Sequence, residues 1–178
     1  MKRFPVLLLT IFLFSAISPL QSQEKPIQHP SWSVFFSPNG GCTQEITQEL
    51  DKAKISILVQ AYSFTSAPIA KALLSAHKRG IKVEVILDKS QRTEKYSSAD
   101  FLAHAGIPTL IDAAHAIAHN KVMIIDGEFV ITGSFNFTRA AEEKNAENLL
   151  VIRDKFLAAR YTENWQEHAQ HSEVYAGK

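Results

Sequence analysis

The sequence predicts an α/β protein with a mixed, mostly parallel central β-sheet flanked by helices on both faces. Three observations carry this prediction. Between residues 32 and 112, strand-like and helix-periodic segments alternate, which calls for a layered fold with right-handed crossovers. The segment "ISILVQAY" is β-branched and nearly continuously apolar, as suits a strand buried on both sides. After residue 119 the rhythm changes to two strands around a tight "DG" turn, a strong hairpin signal.

The elements follow in order. "WSVFFS" reads as a strand closed by the turn "PNGG". "TQEITQELDKAK" carries Ile46 and Leu50 at helical spacing, and "ISILVQAY" is the buried strand. "TSAPIAKALLSAHKRG" is a helix with Ser66 as its cap, Pro68 in its first turn and Gly80 at its end. "IKVEVILD" is a strand, "YSSADFLAHAG" a short helix ending at Gly106, and "IPTLID" a strand. "KVMIID" and "EFVITG" form the hairpin. "TRAAEEKNAE" is polar with partial helical character, and "NLLVIR" is another strand. "DKFLAARYTENWQEHAQ" opens on Asp154 as a cap. It places Phe156, Ala159, Tyr161 and Trp165 at roughly helical spacing, which predicts a C-terminal helix covering the sheet.

The chain has 178 residues, 46% hydrophobic and 21% charged, an ordinary globular composition. Residues 1–22 have a different character. Lys2 and Arg3 precede an apolar run from Val6 to Ile17, and small and polar residues follow. This is the layout of a secretory signal peptide, too short to span a bilayer comfortably. The expectation is cleavage after Ser22, a periplasmic or secreted location, and no stable membrane association afterwards. Residues 23–30, "QEKPIQHP", read as a lead-in. Residues 23–178 are expected to form a single domain. The whole chain has a formal charge of +1; without Lys2 and Arg3 it is −1. A polyanion would therefore have to be bound by a local cluster rather than by net charge. Cys42 is the only cysteine and cannot form a disulfide within its own chain. It reads as an inert thiol.

One stretch carries chemistry. "HNKVMIIDGEFVITGSFNFT" holds the pattern H-x-K-x4-D-x6-G-S-x-N, formed by His119, Lys121, Asp126, Gly133, Ser134 and Asn136. At average residue usage, six fixed identities match by chance at roughly one start position in 10^8. Alternation along a strand turns His119 and Lys121 the same way. That pair is a poor core but a good phosphodiester site. The imidazole can attack phosphorus, and the ammonium can neutralise a non-bridging oxygen. Gly133 allows close backbone approach to a substrate. Ser134 and Asn136 offer neutral donors to the remaining oxygens. Asp126 opens the "DG" turn, so turn geometry alone can account for it.

The pattern resembles the HKD signature of the phospholipase D superfamily. The likeness runs from about residue 33 to about residue 170. "ILVQAYSFTSAPIAKAL", "VEVILDKSQ" and "GSFNFTRAAEEKNAEN" resemble its small, single-motif bacterial endonucleases. The resemblance implies a phospholipase D-like fold, Asp126 as a motif member, and a phosphodiester hydrolase with no cofactor and no metal. It implies cleavage of DNA, and secondarily RNA, through a phosphohistidine, leaving 5′-phosphate and 3′-hydroxyl ends. In the resembling nucleases a carboxylate follows the Gly-Ser-x-Asn element and orients the histidine. Glu147 fits that place, whereas Glu142 and Glu143 sit in a charged run expected to face solvent. Larger members carry two motif copies. This chain carries one, since His168 and His171 lack the following Lys and Asp. A homodimer sharing one active site is the corresponding expectation.

The alternatives are a phospholipid hydrolase using the same motif and a nucleic-acid-binding protein with little turnover. Lys89, Arg92 and Arg139 are candidate substrate contacts beside the motif, with Lys95 and Lys144 nearby. Such charges are more often a solvated face, but at a phosphate site they can track a backbone. His115 and His119 are four apart, as in a helical metal pair. No Glu follows the first, and the segment beyond His119 is strand-like, so metal catalysis is not expected.

Overall fold

The computed structural model describes residues 31–178; the expected leader, 1–22, and the lead-in, 23–30, lie outside the described residues. Eight strands form one sheet: β1 (Ser31–Ser37), β2 (Ser56–Ala61), β3 (Lys82–Asp88), β4 (Thr109–Asp112), β5 (Lys121–Ile125), β6 (Phe129–Gly133), β7 (Glu147–Arg153) and β8 (Glu173–Val174). Their order is β1-β7-β6-β5-β2-β3-β4-β8. The mixed sheet flanked by helices agrees with the sequence reading. Its parallel share is smaller than expected. Only β2, β3 and β4 run parallel, and the other five pairings are antiparallel. Only the β5–β6 hairpin is antiparallel for a local reason; β5 against β2, β7 against β1 and β8 against β4 are pairings between strands distant in the chain.

The helices are α1 (Cys42–Lys52), α2 (Ala67–Lys78), α3 (Ala99–His104), α4 (Arg139–Glu143) and α5 (Lys155–His171). The larger core includes Ile46, Leu50, Ile69 and Leu73 from α1 and α2, together with Ile57, Val59, Val83 and Val85 of the sheet. Each such side chain, fully buried, contributes about 1.5–3 kcal/mol. On the other face, Ala158 and Trp165 of α5 cover Ile86, Val122, Ile124 and Val130. The indole Nε1 of Trp165 donates to the Val59 carbonyl at 2.9 Å, so a buried polar atom is satisfied in the same contact.

Asp154 caps α5 as predicted, accepting from the Phe156 and Leu157 amides. Two of the residues assigned to its packing stripe do not pack. Phe156 is 88% exposed and Ala159 is also exposed. The buried stripe runs instead through Leu157, Ala158, Tyr161, Trp165 and Ala169, which keeps a truer helical period. Ser66 occupies the cap position of α2, but its side chain makes no capping bond. Its amide donates to the Phe137 carbonyl, tying α2 to the segment after β6. Glu142 is a further correction. Its carboxylate accepts from the Gly41 and Thr43 amides at the start of α1, a favourable place for negative charge. Beneath it, burial and then the charge of Glu142 push the Cys42 thiol up to about 11, so it is neutral and unreactive.

Candidate active site

The parallel strands β2, β3 and β4 end along one edge of the sheet. From β4 the chain crosses back over this edge to enter β5 on the far side of β2. Such a reversal leaves a crevice at the carboxyl ends of parallel strands. The motif lies there. Register places Ala61 of β2 opposite Lys121 of β5, and Gly133 of β6 opposite Leu149 of β7. One step outward, the Tyr62 amide bonds the Asn120 carbonyl, and the Ser134 amide bonds the Asn148 carbonyl. Strand pairing therefore assembles the site from four chain segments.

His119 is exposed at the lip of the crevice. Its ring leans on Tyr62, with centroids 4.6 Å apart. Lys121 is only 7% exposed. Its Nζ donates to the His119 carbonyl at 2.7 Å and lies 5.1 Å from the centre of the Tyr62 ring. No carboxylate lies within ion-pair distance of it among the described residues. Burial pushes the ammonium below its ordinary value, and the charge of Glu147 partly restores it. The result is a desolvated cation lacking a bonded counter-ion, suited to receiving an anion.

Ser134 Oγ accepts from the Asn148 amide at 3.1 Å, which leaves its hydroxyl hydrogen free to donate outward. Asn136 Oδ1 is buried and has no hydrogen-bond partner among the described residues. An orphaned buried acceptor costs about 1–3 kcal/mol. Glu147 Oε1 accepts from Asn145 Nδ2 at 3.0 Å, and its amide bonds Ser37 Oγ at 3.2 Å. Among the described residues no hydrogen bond joins Glu147 to the His119 ring. The ring is braced by Tyr62.

Gly133 is glycine for a reason other than substrate approach. Its φ is +146°, and a Cβ there would fall 2.2 Å from the Asn148 carbonyl oxygen. The close approach is to β7 of its own sheet. Asp126 stands at the opposite end of β5 from Lys121, about 16 Å away at about 3.3 Å per residue. Its carboxylate accepts from the amides of Lys54, Ile55 and Ser56. It fastens the hairpin turn to the entry of β2, and is structural.

The basic candidates are mostly engaged. Arg92 pairs with Glu173, and Arg139 with Glu143 at 2.7 Å. Lys89 Nζ donates to the His115 carbonyl at 2.9 Å. Sequence reasoning missed Tyr62 and Asp88. Asp88 accepts from the Ser90 and Ala118 amides, and so anchors the approach to His119. Their position at the ends of the two predicted parallel strands was the available signal.

The site thus sets a desolvated lysine beside an exposed histidine, with neutral donors across the edge. The chain belongs to the phospholipase D superfamily of phosphodiesterases: residues 46–169 match the family model described as cardiolipin synthase, PLD-like domain. It is 46% identical over 153 residues to the phospholipase D of Rickettsia conorii, covering 84% of this chain and 76% of that one. Among solved structures it resembles Nuc from Salmonella typhimurium, a phospholipase D family member, with TM-score 0.80 and 41% identity over 83% of this chain and 99% of that one. NucT from Helicobacter pylori gives TM-score 0.76 and 27% identity over 83% of this chain and all of that one (100%).

Proposed function

We propose that the chain is a metal-independent, nonspecific endonuclease, periplasmic or secreted after loss of residues 1–22, and active as a homodimer. The observation that carries the phosphodiesterase chemistry is the pairing of exposed His119 with the buried, unpaired ammonium of Lys121. His119 attacks phosphorus, and the scissile P–O bond breaks. The departing oxygen takes a proton from a second imidazole. That imidazole then removes a proton from water, whose oxygen attacks phosphorus and releases His119. Lys121, Ser134 and Asn136 hold the non-bridging oxygens. Nucleic acid is favoured over lipid as substrate by the close match in size and fold to Nuc and NucT. The second reading, a phospholipid phosphodiesterase, is favoured by the Rickettsia relative named phospholipase D.

The need for a second copy follows from in-line geometry, since one imidazole cannot stand on both sides of phosphorus. The nearby His115, His168 and His171 all turn toward Asp112. An exposed apolar residue beside the site supports self-association: Phe36 of β1 is 64% exposed and pairs in register with Asn148. A two-fold axis passing beside His119 would bring both copies of it together.

The test incubates the protein with plasmid DNA, RNA and phosphatidylcholine vesicles, each in excess EDTA. DNA cleavage that persists in EDTA is expected. Hydrolysis of phosphatidylcholine alone would transfer the assignment to the lipid reading. Loss of all cleavage in EDTA, restored by Mg²⁺, would overturn the metal-independent mechanism. Mixed dimers of wild-type and His119→Ala chains are expected to be severely impaired, and the wild-type pH–rate profile bell-shaped. Full activity from a monomer across a dilution series would remove the shared site.

A further inference from the structure

A second group of ligand-type side chains lies outside the phosphodiester site. Asp112 ends β4, and its side chain is fully buried. His115 stands three residues on, while His168 and His171 occupy the last turn of α5. His168 Nδ1 is 2.7 Å, His115 Nδ1 3.0 Å and His171 Nε2 3.4 Å from the same oxygen, Asp112 Oδ2. The three rings gather with centroids 4.8, 5.2 and 5.3 Å apart. One ligand atom from each of the four residues lies within 4.8 Å of all the others.

Asp112 Oδ1 accepts from the Ala114 amide at 3.1 Å and shares His115 Nδ1 with Oδ2, at 3.1 and 3.0 Å, while His168 Nδ1 falls on Oδ2 and His171 Nε2 stands off at 3.4 Å. Hydrogen bonds can therefore fill the carboxylate, but only by turning three imidazoles onto one buried anion. A divalent cation at the centre would use all four groups at once. Tetrahedral zinc with ligand bonds of about 2.0–2.1 Å needs ligand atoms roughly 3.4 Å apart. The present separations bracket that value, so small ring rotations suffice. We propose that Asp112, His115, His168 and His171 form a closed N3O site for a divalent transition metal, zinc being the fitting ion. Imidazole with one carboxylate suits zinc better than magnesium or calcium, which prefer oxygen donors. Binding asks each neutral imidazole to carry its proton on the ring nitrogen facing away from the metal.

The role is a clamp. The metal would tie the end of β4 to the last turn of α5, adding to the apolar cluster that Leu110 and Ala169 share and to the two-residue pairing of β4 with β8. His115 also begins the segment that delivers His119, and its carbonyl receives Lys89. The metal takes no part in the proposed hydrolysis, and its four ligands are all in hand without His119. Sequence spacing paired His115 with His119. Folding pairs it with two histidines at the far end of the chain.

The experiment strips the full-length protein with EDTA, desalts it, and titrates Zn²⁺ under native mass spectrometry and thermal melting. One zinc per chain and a zinc-dependent rise in Tm are expected. Co²⁺ loaded instead should give the intense visible absorption of a tetrahedral ion. His171→Ala, at a partly exposed position, should weaken zinc binding by at least about 100-fold, beyond the 10–100-fold typical of losing an outer partner. His168→Ala should do the same, and His77→Ala should not. His119→Ala should abolish cleavage yet bind zinc normally, and His171→Ala should cleave DNA below its Tm. No zinc bound at one equivalent, or binding that survives His168→Ala and His171→Ala but fails in His119→Ala, would overturn the clamp. Neither result touches the assignment of His119 as nucleophile.

Discussion

The two ends of β5 carry parts of one motif and are built in opposite ways. At one end Asp126 has its carboxylate filled by three backbone amides. At the other, Lys121 is buried with a single carbonyl partner, and the neighbouring Asn136 Oδ1 has none. The first end is complete within the chain. The second holds a cation and a buried acceptor that the chain itself leaves underused. Motif membership alone therefore does not separate chemistry from architecture. Within the motif, satisfaction of each polar group does.

The largest effect that would test this contrast is at the incomplete end. His119→Ala is expected to reduce cleavage by many orders of magnitude, because a nucleophile is lost. The side chain is exposed, and among the described residues its ring makes no hydrogen bond and only leans on Tyr62, so Tm should hardly change. Near-wild-type turnover in a folded sample would place the nucleophile elsewhere. Trapping phosphate on a peptide bearing His119 is the direct readout.

Lys121→Met separates function from stability more sharply. Turnover is expected to fall about 100-fold or more with the loss of transition-state charge stabilisation. Stability should stay level or rise by about 1 kcal/mol, since an apolar isostere replaces a buried, unpaired charge. Denaturant melts check this. A marked loss of stability would mean that Lys121 has a structural partner after all.

Asp126→Ala is the mirror case. It removes the acceptor for three amides and puts a β-carbon residue without a local hydrogen bond at φ +56°. We expect a loss of about 2–3 kcal/mol and retained turnover per folded molecule. A collapse of turnover with unchanged stability would restore Asp126 to the chemistry.

Much of this was legible in the chain. The hairpin around Asp126 and Gly127, the Asp154 cap and the contact of Lys121 with His119 follow from local pattern, because period and turn chemistry act over a few residues. The antiparallel majority was not legible, since pairing partners are chosen by tertiary contact. Nor were Glu142 as a cap for α1, Tyr62 against His119, or the meeting of His115 with His168 and His171. In each, the partners lie dozens of residues apart and neither segment signals the other. Phe156 misled for a simpler reason: an apolar residue at the first turn of a helix matches the period without facing the core.

The smallest effect concerns a buried charge that does have partners. Glu49 of α1 has a side chain only 2% exposed, yet it pairs with Lys52 at 2.9 Å and Arg153 at 2.8 Å. Burial alone would raise its carboxyl. Hydrogen bonds from Lys52 and Arg153 outweigh burial and hold it below the ordinary carboxylate range. A carboxyl lowered by folding stabilises the protein above its unfolded pKa, about 4.3, and the contribution is lost as pH falls through the folded value. Both cations are substantially exposed, so solvent screens the pairs and the net worth is small. Glu49→Gln is therefore expected to cost about 1 kcal/mol at pH 7, measured by urea titration. The gap to wild type should close as pH is lowered below about 4. A gap that stays constant with pH would show that packing, not charge, sets the cost. Glu49 would then cease to be the ion-paired counterpart against which the unpaired Lys121 is read.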